Sequence, residues 1–334
     1  MSVNENDFEH KITLLLKEKL TSENPKVSFL IPKLNDFQNS EDLYIESVFY
    51  LAQSKMSKKL FCKFLLDLGS LSISVNSEFL LSNIFEKLTS LANETQNFQN
   101  MIPESYLELS TICYKYNVKF NWTIYLKSAI KQFIYLNNKV SACQSELLLG
   151  KYYLDNMKLF EAELHLENSY VHASNLIEPE TNSKIEFELG RVYFLLAKYD
   201  LSKSFFSCSL INYYRLGNYP VVIEINNYLT LLHINANNIP EALKVIEKNL
   251  SLNKVFGNPK NLAFGYISKS LVYSLTKDSK LSLIFSNLAQ KIYENPSNNI
   301  VNADKLHDGI HSGLNKEKLM TLYRELLLKS NKVA

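Results

Sequence analysis

Apolar side chains recur every three or four residues along most of the chain, which is the spacing of amphipathic helices. Near the amino terminus the pattern is carried by Phe8, Ile12, Leu15, Leu16 and Leu20. It predicts a first helix that ends near Thr21, followed by helices over Ser40–Ser54, Lys58–Leu68 and Ser77–Ala92. Leu71, Ile73 and Val75 alternate as in a strand, but the stretch is short and isolated. A loop or a helix start is the better prediction there.

From Pro103 to about Glu294 the pattern itself repeats every forty residues, five times without an insertion. One alignment column is leucine in four copies and Lys269 in the fifth: Leu109, Leu149, Leu189 and Leu229. The next column is always small: Ser110, Gly150, Gly190, Thr230 and Ser270. Three residues later comes a mostly aromatic column: Cys113, Tyr153, Tyr193, His233 and Tyr273. Self-similarity at a fixed period indicates a repeat array.

Three more columns follow in the second half of each repeat. The first is small except for Trp122 and contains Ala162, Ser202, Ala242 and Ser282. The second is apolar except for Ser286 and contains Leu126, Leu166, Phe206 and Ile246. The third is narrow and contains Ala129, Ser169, Ser209, Asn249 and Ala289. Small residues that face large ones allow two antiparallel helices to approach closely, so each repeat predicts a helix pair.

In the clearest copy the pair covers Ser141–Asn156 and Lys158–Asn175. The junctions between repeats also follow the period, because Gly217-Asn218 and Gly257-Asn258 lie forty residues apart. Both residue types tolerate the left-handed conformation that ends a helix. Prolines suited to a fresh helix start follow the junctions, at Pro179, Pro220 and Pro259.

Composition favours an all-α class, since 8 glycines and 8 prolines in 334 residues leave few turns for a β architecture. The sequence predicts three regions: an amino-terminal helical cap over 1–100, five repeats over 103–294, and capping helices over 302–334. The first region is a cap or, alternatively, a set of degenerate repeats. Asn295–Asn299 is a helix breaker, and helices are expected from Ala303 and over Lys316–Lys329. The last helix caps the array, or alternatively binds a partner.

Charge gives little indication of a nucleic-acid or membrane partner, because 36 basic and 34 acidic residues leave a net charge of +2. Four lysines within Lys55–Lys63 leave a degenerate DNA-binding module as an alternative. The amino terminus lacks a secretory pattern, and no apolar run is long enough to span a membrane. Four scattered cysteines fit reduced thiols. We therefore expect a soluble intracellular protein, cytoplasmic or nuclear, of undetermined oligomeric state.

Motifs for catalysis are nearly absent, and we predict no catalytic residue, no metal and no cofactor. Phosphate-binding loops and nucleophile elbows do not occur. His307-Asp308-Gly309-Ile310-His311 is similar to the zinc motif H-E-x-x-H. Its Asp is one carbon shorter than the Glu of that motif, and Gly309 weakens a helix. A metal-dependent hydrolase is therefore only a distant alternative.

The repeats resemble tetratricopeptide repeats in their second and third copies. The resemblance is carried by Leu149-Gly150-x-x-Tyr153 with Ala162, Leu166 and Ser169, and by the matching residues forty positions later. The forty-residue period is similar to the longer-helix variety of the family, found in bacterial peptide-sensing regulators and in subunits of eukaryotic assemblies. The resemblance implies a right-handed α-solenoid of antiparallel helix pairs with helical caps at both ends.

It also implies that the first helices of successive repeats line a concave face that binds protein or peptide. The resemblance maps exposed positions of that face to Lys115, Lys151, Lys184, Phe187, Arg191, Phe194, Asn227, Tyr228, Leu231 and Ile234. The alternative is that half of these side chains pack against adjacent helices or the terminal cap. The family pattern that grips a terminal carboxylate is missing, because Leu147 and Phe187 stand where lysine is needed. The function expected is a non-enzymatic scaffold or adaptor in a multi-protein assembly, or alternatively a peptide-sensing regulator.

Overall fold

The computed structural model describes residues 5–23, 41–74, 77–94, 101–174, 178–257 and 259–293, together with 317–319, 321–322 and 325. The regular elements within these ranges are all helices. The chain packs as two compact units, Met1–Tyr152 and Tyr153–Ala334, with the boundary inside one helix. The predicted three-region division follows the repeat pattern rather than this packing, and it stays a prediction.

Unit 1 contains six helices and most of a seventh: α1 Glu5–Glu23, α2 Glu41–Lys55, α3 Lys58–Ser74, α4 Glu78–Glu94, α5 Met101–Lys115, α6 Thr123–Tyr135 and α7 Lys139–Asp155. α3 packs against α1, α4 and α5. It runs to Ser74, so Leu71 and Ile73 continue α3, and the expectation of a loop or a helix start there is wrong. Ile73 is buried and continues the helical stripe of Leu65 and Leu68, which keeps this segment helical.

Unit 2 contains α8 Leu159–Ala173, α9 Pro179–Leu195, α10 Tyr199–Arg215, α11 Tyr219–Asn235, α12 Ile239–Phe256, α13 Pro259–Leu275 and α14 Ser279–Tyr293. First helices of the repeats begin at residues 139, 179, 219 and 259, and second helices begin at 159, 199, 239 and 279. The forty-residue period is thus reproduced at every one of these helix starts. The all-α repeat fold predicted from the sequence is confirmed.

The first repeat departs from this register at Trp122. Its second helix, α6, begins at Thr123 instead of the residue 119 that the period predicts. Trp122 is 1% exposed and meets the ring of Tyr152 edge-on, with ring centroids 4.9 Å apart. A longer connection therefore makes room for a large side chain in a column that is otherwise small.

The turn inside each repeat carries one residue in the left-handed region. These residues are Asn117, Met157, Ala197, Asn237 and Lys277, with φ between 51° and 63°. In the third repeat the backbone amide of Lys198 donates to Tyr193 O at 2.9 Å, and that of Ala197 donates to Phe194 O at 3.2 Å. These two backbone hydrogen bonds together form a Schellman cap. The same pair of bonds occurs in all five repeats. The aromatic column supplies one acceptor carbonyl in each, and the residue that follows it supplies the other.

The junctions between repeats are less uniform. Gly217 is left-handed, with a φ of 68°, as the sequence predicts. Gly257 instead has a φ of −88° and a ψ of 176°, which is extended backbone, so the left-handed prediction is wrong there. The prolines Pro179, Pro220 and Pro259 all lie in the first turn of a helix, as predicted.

Close approach of the two helices in a repeat depends on the small column. A Cβ atom added to Gly190 would lie 2.7 Å from Cδ1 of Phe206 on α10. The Ser202 hydroxyl donates to Gly190 O at 2.8 Å, which joins α9 and α10 through a buried hydrogen bond. In the last repeat Ser270 and Ser282 bond to each other's backbone carbonyls in the same way.

The two helices of a repeat are also joined by a hydrogen bond from the narrow column to the backbone of the first helix. Ser209 Oγ donates to Ser183 O at 2.9 Å, and one repeat later Asn249 Nδ2 donates to Ile223 O at 3.2 Å. Asn249 is longer than serine and has further bonding capacity. It also donates to Asn227 Oδ1 at 2.8 Å and accepts from Asn226 Nδ2 at 3.4 Å. We call Asn226, Asn227 and Asn249 the asparagine trio.

At the carboxyl end, Leu319 is 1% exposed and belongs to the core of unit 2. This contact fits the predicted capping role, which remains a prediction. The breaker at 295–299 and the start near Ala303 lie outside the described residues.

Candidate functional site

Eight of the ten predicted positions lie on α9 and α11 in unit 2, whereas Lys115 lies on α5 and Lys151 on α7 in unit 1. The Lys151 ammonium sits 5.7 Å from the ring centroid of Tyr114, a cation–π contact within unit 1. Lys151 is therefore described separately from the others. The site considered below is the group of first-helix side chains around Arg191.

Five of the predicted residues are buried, so the expectation that they are exposed is wrong. The exposed fractions are 8% for Phe187, 2% for Phe194, 5% for Asn227, 0% for Tyr228 and 1% for Leu231. Ile234 is buried as well. The cause is that α11 packs against α10, α12 and α13, which leaves little of its surface open. These side chains form the base of the site, and whether a partner touches any of them remains a prediction.

The base is aromatic and centred on Tyr228. Its ring stacks on Phe206 at a centroid distance of 4.8 Å and meets Phe194 edge-on at 5.4 Å. Phe187 approaches the same ring at 6.4 Å. Such aromatic pairs contribute roughly 1 kcal/mol each beyond their burial. The surface above them is therefore presented by a rigid core.

Arg191 lies where first helices of three successive repeats meet. Its guanidinium pairs with Glu188 Oε2 at 2.7 Å on α9 and with Asp155 Oδ1 at 3.9 Å at the end of α7. It also forms a side-chain hydrogen bond with Tyr228 on α11. The Arg191 side chain is 15% exposed and that of Glu188 is 7% exposed. We call this arrangement the Arg191 cluster.

Electrostatics in the Arg191 cluster favour a charged guanidinium. Burial by itself opposes that charge, but the carboxylates of Glu188, Glu224 and Asp155 outweigh it and raise the pKa of Arg191 well above its ordinary value. Burial raises the pKa of Tyr228 to about 12, so its hydroxyl stays protonated. Three carboxylates act on one guanidinium, so the cluster carries excess negative charge.

Accessible charge lies one to two turns before the cluster on α9. Lys184 Nζ pairs with Glu180 Oε1 at 2.7 Å, with side chains 53% and 66% exposed. Glu186 on the same helix is only 8% exposed and accepts from Asn212 Nδ2 at 3.1 Å. Burial raises the pKa of Glu186, whereas the hydrogen bond and charge of Lys184 lower the pKa of Glu180.

The predicted positions are basic, polar or apolar, and they leave out the acidic members of this site: Asp155, Glu180, Glu186, Glu188 and Glu224. One signal was available, because Glu188 stands three residues before Arg191 and therefore on the same helix face. The partners from other repeats, Asp155 and Glu224, carry no such local signal.

Chemically, the site offers ion pairs and aromatic surface. Among the described residues there is no group of three or more His, Cys, Asp or Glu side chains that could hold a metal ion. The His307 and His311 motif lies outside the described residues. In the described ranges, no helix combines the length and apolar character needed to cross a membrane.

Solved structures with the same architecture decide the fold. The apo form of RapI aligns with a TM-score of 0.59 and 14% identity, covering 81% of this chain and 96% of that one. A signal transduction ATPase with numerous domains (STAND) protein with a tetratricopeptide repeat sensor, from Pyrococcus horikoshii, aligns with a TM-score of 0.62 and 15% identity. That match covers 90% of this chain and 46% of the other. The chain has a tetratricopeptide-like repeat fold.

A third solved structure that aligns with the chain is aspartyl phosphate phosphatase F from Bacillus subtilis. Its TM-score is 0.51 at 14% identity, and it covers 99% of this chain and 94% of that one. Neither a protein-family model nor a curated protein sequence matches the chain. At these identities the likeness concerns the tetratricopeptide-like fold and leaves function to the site itself.

Proposed function

We propose that this tetratricopeptide-like protein is a non-enzymatic scaffold or adaptor that binds a protein or peptide along its first helices. The observation that carries the proposal is the Arg191 cluster, in which side chains from three successive first helices meet. A ligand that lies along these helices would contact several repeats at once. Affinity would then accumulate over many modest contacts, as is usual for solenoids.

The accessible part of the proposed surface is charged, with buried aromatic rings beneath it. Lys184 and Glu180 are the exposed members, and Asp155 is 37% exposed. Arg191 and Glu188 are largely buried and pair with each other, so they stabilise the surface but present little accessible charge. A partner would therefore meet a mixed-charge surface, which favours specificity and association rate over raw affinity.

The proposed environment is intracellular. Cys62, Cys113, Cys143 and Cys208 are all free thiols, and the first three are buried. Free cysteines are the usual state in a reducing compartment.

The test places a photo-crosslinking amino acid at position 184 on α9 and, as a matched control, at position 204 on α10. Both Lys184 and Ser204 are exposed, but they lie on a first and a second helix respectively. In cells that express the chain naturally, we expect a protein partner to crosslink from position 184 but not from position 204. That partner should then bind the purified chain directly. Equal crosslinking from both positions would contradict the assignment of the surface.

A second proposal is a regulator that senses a short peptide. It is favoured by one observation, that a solved neighbour at a TM-score of 0.62 is described as a STAND protein with a tetratricopeptide repeat sensor. The two proposals differ in ligand size. If position 184 crosslinks no protein, while a library of five- to ten-residue peptides raises the melting temperature of the purified chain, the sensor is the better account.

A further inference from the structure

A groove separate from the Arg191 cluster lies in unit 1, between the first halves of α3 and α5. Its volume is about 310 Å³, at the lower end for ligand pockets. Each helix contributes one face with the same spacing. On α3 the face is formed by Lys59, Cys62, Lys63 and Leu66, and on α5 by Met101, Glu104, Ser105 and Glu108.

The floor of the groove is apolar or already satisfied. Cys62 and Ser105 are each 3% exposed, and the Ser105 hydroxyl donates to Met101 O at 2.8 Å. Leu60, Leu66 and Met101 are half-buried beside them. Burial also raises the pKa of the Cys62 thiol, which keeps it protonated. The floor therefore offers contact area but no open polar group.

The walls carry opposite charges that do not meet. Lys59 and Lys63 are exposed on the α3 wall, and Glu104 and Glu108 are exposed on the α5 wall. Within the part of the chain that the structure describes, neither lysine comes within the 4.0 Å ion-pair distance of either glutamate. Each wall has its charges four residues apart, which is about 6 Å along a helix.

A ligand that satisfies both walls must present acids to α3 and bases to α5. In an extended peptide, successive side chains point to opposite sides, and alternate residues lie about 6.6 Å apart. Strict alternation of acidic and basic residues therefore places every acid on one side, at nearly the spacing of the wall charges. On a helix, residues two apart point to nearly opposite sides, so alternating charges would not be sorted onto the two walls.

We infer that the groove between α3 and α5 binds an extended segment of a partner protein in which acidic and basic residues alternate. This accounts for part of the lysine-rich stretch Lys55–Lys63, two of whose lysines line the groove. Nucleic acid fits less well, because Glu104 and Glu108 would repel its phosphates. The inference goes beyond the proposed function, since the groove and the Arg191 cluster lie in different units.

The test uses the full chain and two blocked octapeptides of identical composition. One alternates Glu and Lys four times, and the other has four Glu followed by four Lys. We expect the alternating peptide to bind about tenfold more tightly by calorimetry at low salt, because single exposed charge contacts are weak and must act together. Binding should weaken with added salt. Equal affinity for the two peptides, or no heat with the alternating peptide, would overturn the inference.

A specificity switch provides the second arm. Lys59→Glu with Lys63→Glu makes both walls acidic, so the variant should lose the alternating peptide and gain an all-lysine octapeptide. Lys127→Glu with Lys131→Glu is the control, because it changes two exposed lysines four residues apart on α6. That control should keep the original preference. If the groove variant instead loses binding to a single-stranded oligonucleotide that the wild type holds more tightly than either peptide, the site is a nucleic-acid site and the inference is wrong.

Discussion

At the scale of single residues, Arg191 is predicted to stabilise the fold in addition to any role at the surface. Arg191→Met would remove the guanidinium that pairs with Glu188, whose side chain is only 7% exposed, in a low-dielectric site. Breaking a buried pair in this way costs about 3 kcal/mol. Urea denaturation should show that loss, and adding Glu188→Gln should recover much of it. Lys184→Met removes an exposed pair and should change little; an equal loss there would contradict the distinction.

Glu186 is predicted to make stability depend on pH. Burial raises its folded pKa above the ordinary 4.5, so its contribution is fully present below that value and is lost as pH rises through the raised pKa. Glu186→Gln should therefore raise the melting temperature at pH 7 and leave it nearly unchanged at pH 4. Glu180→Gln on the same helix should show the opposite sign, because the pKa of Glu180 is lowered. Parallel profiles for both variants would refute the assignment.

At the scale of the helix pair, the residue in the left-handed conformation at the turn is under backbone strain, which lowers stability. Ala197 has a φ of 57°, where an alanine costs about 1 kcal/mol. Ala197→Gly should therefore raise the free energy of unfolding by roughly 0.5–1 kcal/mol despite the greater entropy of glycine in the unfolded chain. Ala236→Gly is the matched control, since Ala236 is also exposed but has a φ of −73°. It should lower stability instead, and a gain at both sites would exclude backbone strain as the reason.

Close packing between α9 and α10 gives the second prediction at this scale. Gly190→Ala places a methyl group 2.7 Å from the Phe206 ring, and Phe206 is fully buried, so the helices must separate. We expect a loss of about 1–3 kcal/mol in thermal or urea denaturation. Phe206→Leu should destabilise the wild type but cost less in the Gly190→Ala background. Additive losses would show that the two sites do not interact.

At the scale of the whole molecule, the forty-residue periodicity predicted where the helices begin, but it did not predict which side chains are buried. Helix starts at 159, 199, 239 and 279 follow directly from the forty-residue register, because the same capped turn precedes each of them. Exposure on α11 could not be predicted from one sequence, since Asn227 and Tyr228 have polar groups that only neighbouring helices satisfy. The Arg191 cluster was missed for the same reason: Asp155 and Glu224 belong to other repeats.

The asparagine trio restricts how such a chain can gain or lose repeats during evolution. A recombination event that pairs α11 with a serine-bearing second helix would bury the amides of Asn226 and Asn227 without Asn249. Each buried amide that lacks a hydrogen-bond partner costs about 1–3 kcal/mol, a large fraction of the stability of a domain. The α11–α12 pair should therefore be inherited as one block, with crossover points confined to the serine-linked repeats around it.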